Sequence, residues 1–113
     1  LQHNRYWRRA DGLALDVGAY SAALEYASGR EAFVVGKPAR EFFSSAMADL
    51  GSNPATTLMV GDDAEADVGG ALAAGLRAIL VRTGKYSAQA LAASGVTPTA
   101  IVDSIAAVPA LLR

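Results

Sequence analysis

The chain has 113 residues, 52% of them hydrophobic, with 10 Lys and Arg against 11 Asp and Glu and a net charge of −1. That is enough for one small packed domain and not for two, and the balanced charge argues against a nucleic-acid footprint, which needs a basic surplus on one face. Cysteine is absent, which excludes disulfides and thiolate chemistry and fits a reducing, cytoplasmic setting.

The chain opens at Leu1 and runs straight into His3-Asn4-Arg5-Tyr6-Trp7-Arg8-Arg9 with no charged-then-apolar leader. This reads as the middle of a longer protein. Tyr6 and Trp7 are expected to pack, Arg8 and Arg9 to be solvated, and His3, the one histidine, to be structural. Residues 18–29 form the first expected helix, with Tyr20, Ala23, Leu24 and Ala27 on one apolar face and Gly29 as its stop. Ala32 to Val35 is a short strand candidate, broken by Gly36-Lys37-Pro38. Pro38 suits the first turn of a helix that runs to about Leu50, with Phe42, Phe43, Ala46, Met47 and Leu50 inward.

Asn53-Pro54 signals a turn before a buried strand at 57–60. Gly61-Asp62-Asp63 follows, then a helix from about Ala64 to Ala74. The pair Gly69-Gly70 inside it, each costing ~1 kcal/mol relative to Ala, points to close packing on a neighbour. A strand at 77–82, a loop at Thr83-Gly84-Lys85, a short helix at 87–94, a strand at 99–102 and a final helix capped by Asp103 or Ser104 complete the chain. No apolar run reaches the ~18 residues of a membrane span.

Strands alternating with helices predict an α/β fold with a parallel sheet and right-handed crossovers. Ligands of such sheets bind outside the C-terminal ends of the strands. The loops carrying Lys37, Asp62 and Lys85 fall there and are expected to face one crevice, although Thr83-Gly84-Lys85 by itself reads as a plain surface turn. Gly61 lets the backbone turn sharply at the strand end. Asp62 and Asp63 then sit at a helix N-terminus, where hard carboxylate oxygens suit Mg²⁺ together with waters and phosphate oxygens. One acid is enough for a helix cap; three acids within six residues exceed that need. Asp67, one turn on, is placed to bond a metal-bound water or a neighbouring cation. Lys37, between Gly36 and Pro38, is placed to neutralise a phosphoryl group; a solvated surface lysine is the bland reading.

Val35-Gly36-Lys37-Pro38, Glu41-Phe42-Phe43, Met59-Val60-Gly61-Asp62-Asp63 with Asp67, Gly70-Ala71, Ala74-Gly75 and the run from Ile79 to Tyr86 together resemble the C-terminal half of haloacid dehalogenase (HAD) superfamily phosphatases. The match is to the large-cap, NagD-like class, and within it to the phospholysine, phosphohistidine and inorganic pyrophosphate phosphatase family. Asp11 to Leu15 and Ala23 to Ala27 resemble the end of that class's α/β cap. The resemblance implies a Rossmann-like HAD core at 32–113 and a cap remnant at 1–31. It implies a Mg²⁺-dependent phosphohydrolase acting on a small phosphorylated substrate (a phosphate monoester, phosphoramidate or pyrophosphate) through an aspartyl-phosphate. In it Lys37 steadies nucleophile and phosphoryl group, Asp62 ligates Mg²⁺, and Asp63 and Asp67 are acidic companions. The family's nucleophile and general acid come from an Asp-x-Asp motif, which this chain does not contain. The expected partners are therefore the missing N-terminal half of the same protein, which also carries the central strand, and the substrate, with a homodimer among the arrangements of the whole. The chain alone is expected to be inactive.

Two further readings compete. One is a non-catalytic half-domain that binds metal or phosphate, or that only assembles with a partner. The other is a receiver-like phosphoacceptor domain, which needs a separate acceptor Asp at another strand end, and none is evident.

Overall fold

The computed structural model describes residues 2–112, apart from the Arg8 side chain. Two strands the periodicity did not reveal come first. β1 (Tyr6–Arg9) and β2 (Gly12–Leu15) pair antiparallel, Tyr6 against Leu15 and Arg9 against Gly12. Ala10-Asp11 makes the two-residue turn, and Asp11-Gly12 was its sequence signal. The expected packing of this segment is not found: Tyr6 is 59% and Trp7 51% exposed. The Arg9 guanidinium lies 6.0 Å over the Trp7 ring and its Nε 3.4 Å from Asp11. The expectation for the Arg8 side chain lies outside the described residues.

α1 (Val17–Ser28) starts one residue ahead of the expected position, where Asp16 caps it, and stops at Gly29 as predicted. Asp16 N–H donates to Arg5 O and Gly18 N–H to Asn4 O, which ties the helix start to the segment before β1. The predicted inward face is not inward. Tyr20, Ala23, Leu24 and Ala27 are all exposed, because no described element lies over that side; Gly18 is the buried residue of α1. Residues 32–35 form no strand. A strand needs a neighbour's N–H and C=O groups, and no described strand pairs with this segment; Phe33 and Val35 remain exposed.

α2 (Arg40–Asp49) begins two residues later than the Pro38 signal suggested, with Ala39 as its cap residue. Pro38 lies instead in the turn before it, after a cis Lys37–Pro38 peptide bond. Phe43 and Met47 turn inward, whereas Phe42 and Leu50 stay exposed. Three parallel strands follow in the order β3 (Leu58–Gly61), β4 (Arg77–Val81), β5 (Ala100–Val102). Leu58 pairs with Arg77 and Gly61 with Leu80; Ile79 pairs with Ala100 and Val81 with Val102. The connection from β3 to β4 is a π-helical turn (Ala64–Gly69) that runs into α3 (Gly70–Ala73). That from β4 to β5 carries α4 (Ala88–Ser94), and a 3₁₀ turn at Ile105–Ala107 leads into α5 (Val108–Leu111).

β4 is the buried strand of this sheet, with Ala78 to Val81 all inside. β3, expected to be buried, is half-buried along its length. It pairs with β4 on one side only. The core joins Phe43 and Met47 of α2, Val68 of the π turn, Ala71 of α3, Ala74, Leu76, and Ala78 and Leu80 of β4. Burying a side chain such as Leu80 stabilises by about 1.5–3 kcal/mol. Gly69 and Gly70 allow this packing, as their sequence suggested. A Cβ on Gly70 would sit 2.8 Å from Phe43 Cε2 and 2.9 Å from Pro38 Cα, and one on Gly69 would sit 3.1 Å from Val96 Cγ2.

Candidate functional site

The C-terminal ends of β3 and β4 gather the polar residues of the chain. At the end of β3 the three acids divide their work. Asp63 is the helix cap: its Oδ1 accepts from Glu65 N at 3.1 Å and Ala66 N at 2.8 Å. Asp63 O in turn accepts from both Asp67 N and Val68 N, which opens the first turn into π geometry. Turns of this kind recur at functional sites because they re-aim side chains.

That turn sends Asp67 back under the loop, where it is 5% exposed. Its Oδ2 accepts from Asp63 N at 3.2 Å and its Oδ1 pairs with Lys37 Nζ at 2.5 Å. The neighbouring cation expected for Asp67 is therefore Lys37, and no polar side-chain atom buried in the described residues lacks a partner. Lys37 also lies 5.9 Å from the centre of the Phe42 ring. Gly61 has a reason other than the sharp turn read from the sequence. Its φ is not in the left-handed region; a Cβ there would collide with the Asp67 side chain, Cβ included. The glycine is what lets Asp67 lie against the strand end.

Asp62 is the acid left over from capping and from Lys37. It is half-buried, and its Oδ2 accepts from the backbone N–H of Lys85 at 2.6 Å. Its Oδ1 makes no hydrogen bond among the described residues. Thr83-Gly84-Lys85 is thus more than the plain surface turn expected of it. Lys85 Nζ also stands 3.7 Å from Asp63 Oδ2. At the root of this loop Arg82 donates to Asp103 at 3.0 Å. The Asp103 carboxylate beside it raises the pKa of the guanidinium above its ordinary range.

The three loops expected at one crevice are joined by side-chain contacts, but they do not line a single crevice. Lys37 reaches Asp67, Asp67 reaches the Asp63 amide, and Asp62 and Asp63 reach Lys85. Lys37, Asp63 and Lys85 are divided between two grooves, and Asp62 and Asp67 line neither of them. One of about 520 Å³ beside α2 holds Lys37, Phe42 and Asp49; another of about 440 Å³ beside α4 holds Asp63, Glu65 and Lys85. Among the described residues, no group of three His, Cys, Asp or Glu is arranged to hold a metal ion. The missed residue is Gly84. Its signal was a glycine three residues past a buried strand, at the crevice end of the sheet.

Comparison with known proteins fits this arrangement. The HAD-hydrolase-like family model matches residues 34–108. The chain belongs to the HAD superfamily. Curated HAD relatives include phospholysine phosphohistidine inorganic pyrophosphate phosphatase of Xenopus laevis, 57% identical over 86 residues, covering 76% of this chain and 32% of that protein. The Danio rerio protein of the same name is 47% identical over 113 residues, covering 99% of this chain and 42% of its own length. Among solved HAD structures, NagD from Escherichia coli K-12 superposes with a TM-score of 0.77 at 30% identity, over 92% of this chain and 40% of NagD. The chain thus spans from just under a third to just over two-fifths of the length of these curated HAD relatives. The fold is NagD-like.

Proposed function

We propose that this chain supplies the lysine and acidic half of the active site of a phosphohydrolase, and that the whole protein hydrolyses a small phosphate monoester, phosphoramidate or pyrophosphate. One observation carries this reading. At the crevice end of β3, a lysine is pinned by a buried aspartate while a second aspartate keeps one carboxylate oxygen free of hydrogen bonds. A structural cap needs Asp63 alone; it does not need Lys37, Asp62 or a buried Asp67.

The donor chemistry fits Mg²⁺ in part. This ion takes one or two carboxylates, keeps several waters, and completes its shell with phosphate oxygens. Asp62 offers one such carboxylate, and the other ligands belong to water, substrate and the remainder of the protein. When bound, the ion neutralises charge on the phosphoryl oxygens. Lys37 does the same from the chain itself. Asp67 takes one of its ammonium hydrogens and fixes the stem, which leaves two donors for phosphoryl oxygens. Because Asp67 is buried and bonded on both oxygens, the lysine is held before substrate arrives and the reaction bears no ordering cost there. Asp63 caps the helix and Asp67 anchors Lys37 and the loop; the family resemblance casts both as acidic companions of the Mg²⁺ ligand.

The attacking Asp belongs to a part of the protein outside this chain, N-terminal to it. Residues 1–31 are the end of a cap that sets substrate choice, and 32–113 the C-terminal half of the core. Two features support a chain that is completed by more protein. The radius of gyration is 15.7 Å, where a compact domain of this length gives about 13 Å. Tyr6, Leu13, Leu15, Tyr20, Leu24 and Tyr26 are all more than half exposed. Among the described residues, no helix is long and apolar enough to cross a membrane.

The test is Mg²⁺-dependent release of phosphate from p-nitrophenyl phosphate and pyrophosphate. The full-length protein is expected to turn over, Asp62→Asn to abolish turnover, and the 113-residue chain alone to be inactive. Turnover by the chain alone would overturn the assignment of the nucleophile to another segment. The alternative, a half-domain that binds metal or phosphate or only assembles with a partner, without catalysis, rests on the lack of an Asp-x-Asp motif in this sequence. It predicts Mg²⁺ or phosphate binding by the full-length protein with no turnover.

A further inference from the structure

The loop after β4 has features that a surface turn does not require. Gly84 has φ +56°, and a Cβ built on it would run into the Asp62 carboxylate, with Cγ at 2.9 Å. The next residue aims its backbone N–H at the same carboxylate, 2.6 Å from Oδ2. The two contacts come from opposite requirements: one clears room for the carboxylate and the other captures it. Lys85 Nζ, 62% exposed at side-chain level, adds a long 3.7 Å contact to Asp63 rather than to Asp62. Arg82 and Asp103 hold the root of the loop at 3.0 Å.

We infer that Gly84 and the Lys85 amide form a backbone clamp that orients Asp62, holding Oδ2 so that Oδ1 is presented to a divalent cation. Gly84 is then a positioning residue. This rests on the reading of Asp62 as a metal-facing carboxylate. The clamp acts by geometry. A carboxylate free to rotate spends part of its time with neither oxygen aimed at the ion, and an oriented one loses less freedom on binding. The backbone N–H is suited to the task because it is fixed by the chain and carries no side-chain entropy. The group in the way of a Cβ at Gly84 is the far end of a side chain, so a substitution there displaces the Asp62 carboxylate instead of unfolding the sheet.

The experiment is calorimetric titration of Mg²⁺ into the full-length protein, with thermal unfolding measured beside it. Gly84→Ala and Gly84→Asn are expected to weaken Mg²⁺ binding on the order of 10- to 100-fold. Asn tolerates the left-handed backbone better than Ala, yet its Cβ meets the same carboxylate. Gly95→Ala is the control: its φ is +66° and a Cβ there has nothing within 4 Å. It bears the same backbone strain and is expected to lower the unfolding temperature without changing Mg²⁺ affinity. Unchanged affinity in folded Gly84→Ala, with affinity lost in Asp62→Asn, would overturn the clamp alone. Unchanged affinity in Asp62→Asn would overturn the reading of Asp62 beneath it. If the Gly84 variants do not fold, amide hydrogen exchange decides. Protection of the Lys85 N–H in the unaltered protein, lost in Asp62→Ala, supports the clamp; an unprotected Lys85 N–H refutes it.

Discussion

Replacing Lys37 by Met keeps the length of the stem and removes the charge that faces Asp67. The carboxylate left behind is 5% exposed and retains one partner, the Asp63 N–H at 3.2 Å. Breaking a fully buried pair costs about 3–5 kcal/mol, whereas exposed pairs are worth about 0.2–1 kcal/mol. The side chains here are 28% and 7% exposed, so water reaches the lysine end and the pair falls between those limits. We expect Lys37→Met to destabilise by about 2–3 kcal/mol. A little of that is the ring contact with Phe42, worth roughly 0.5 kcal/mol at a partly exposed position. Asp67→Asn removes the other charge, and the double variant isolates the pair. Urea unfolding of the full-length protein is the assay, read at unchanged m so that the midpoint reports stability. A coupling of about 2 kcal/mol is expected; one below about 0.5 kcal/mol would mean that the two groups do not hold each other, and the pre-set lysine would fall with it.

Gly70→Ala gains about 1 kcal/mol of helix propensity but drives a methyl toward Pro38 Cα, a backbone atom 2.9 Å away that cannot yield. With overpacking costing about 1–3 kcal/mol, net destabilisation is expected in thermal unfolding. Gly69→Ala, which meets the Val96 methyl at 3.1 Å, should cost less; the reverse order would refute the packing argument. Asp63→Ala loses the cap on Glu65 and Ala66 and should cost about 1 kcal/mol, whereas Asp63→Ser should keep most of it. Equal losses in the two would show that the cap is not what Asp63 contributes.

What could be read from residues alone was local or periodic. Gly29 ends α1, the α4 helix begins at Ser87, and Leu58 to Gly61 makes a strand, because stops, caps and apolar runs are written in adjacent positions, although the Asp16 cap of α1 went unread. The acids were legible as a cluster, and Asp67's cation was anticipated. Their division into one cap, one buried anchor and one free carboxylate was not, since it depends on a π turn that no spacing announces. Strand 32–35 failed for a different reason. Its composition suits a strand, but pairing belongs to the neighbour as much as to the segment. The apolar stripe of α1 marks a face that needs covering, and the pattern does not say whether the cover lies within the same 113 residues. Gly84 was passed over because a glycine in a loop looks ordinary until the carboxylate beside it is known.

The unshared side of β3 has a consequence for how the protein is made. Every strand pairing in the sheet joins residues about twenty positions apart, as in Leu58 with Arg77 and Ile79 with Ala100. Pairings that span a helical crossover form slowly, so the sheet stays exposed while it assembles, and among the described residues the outer side of β3 is left with a row of N–H and C=O groups open to another strand. A polypeptide cut ahead of Leu1 and co-produced as two pieces would then be able to knit together along that row, with the piece described above acting as the receptor and the other as the inserted strand.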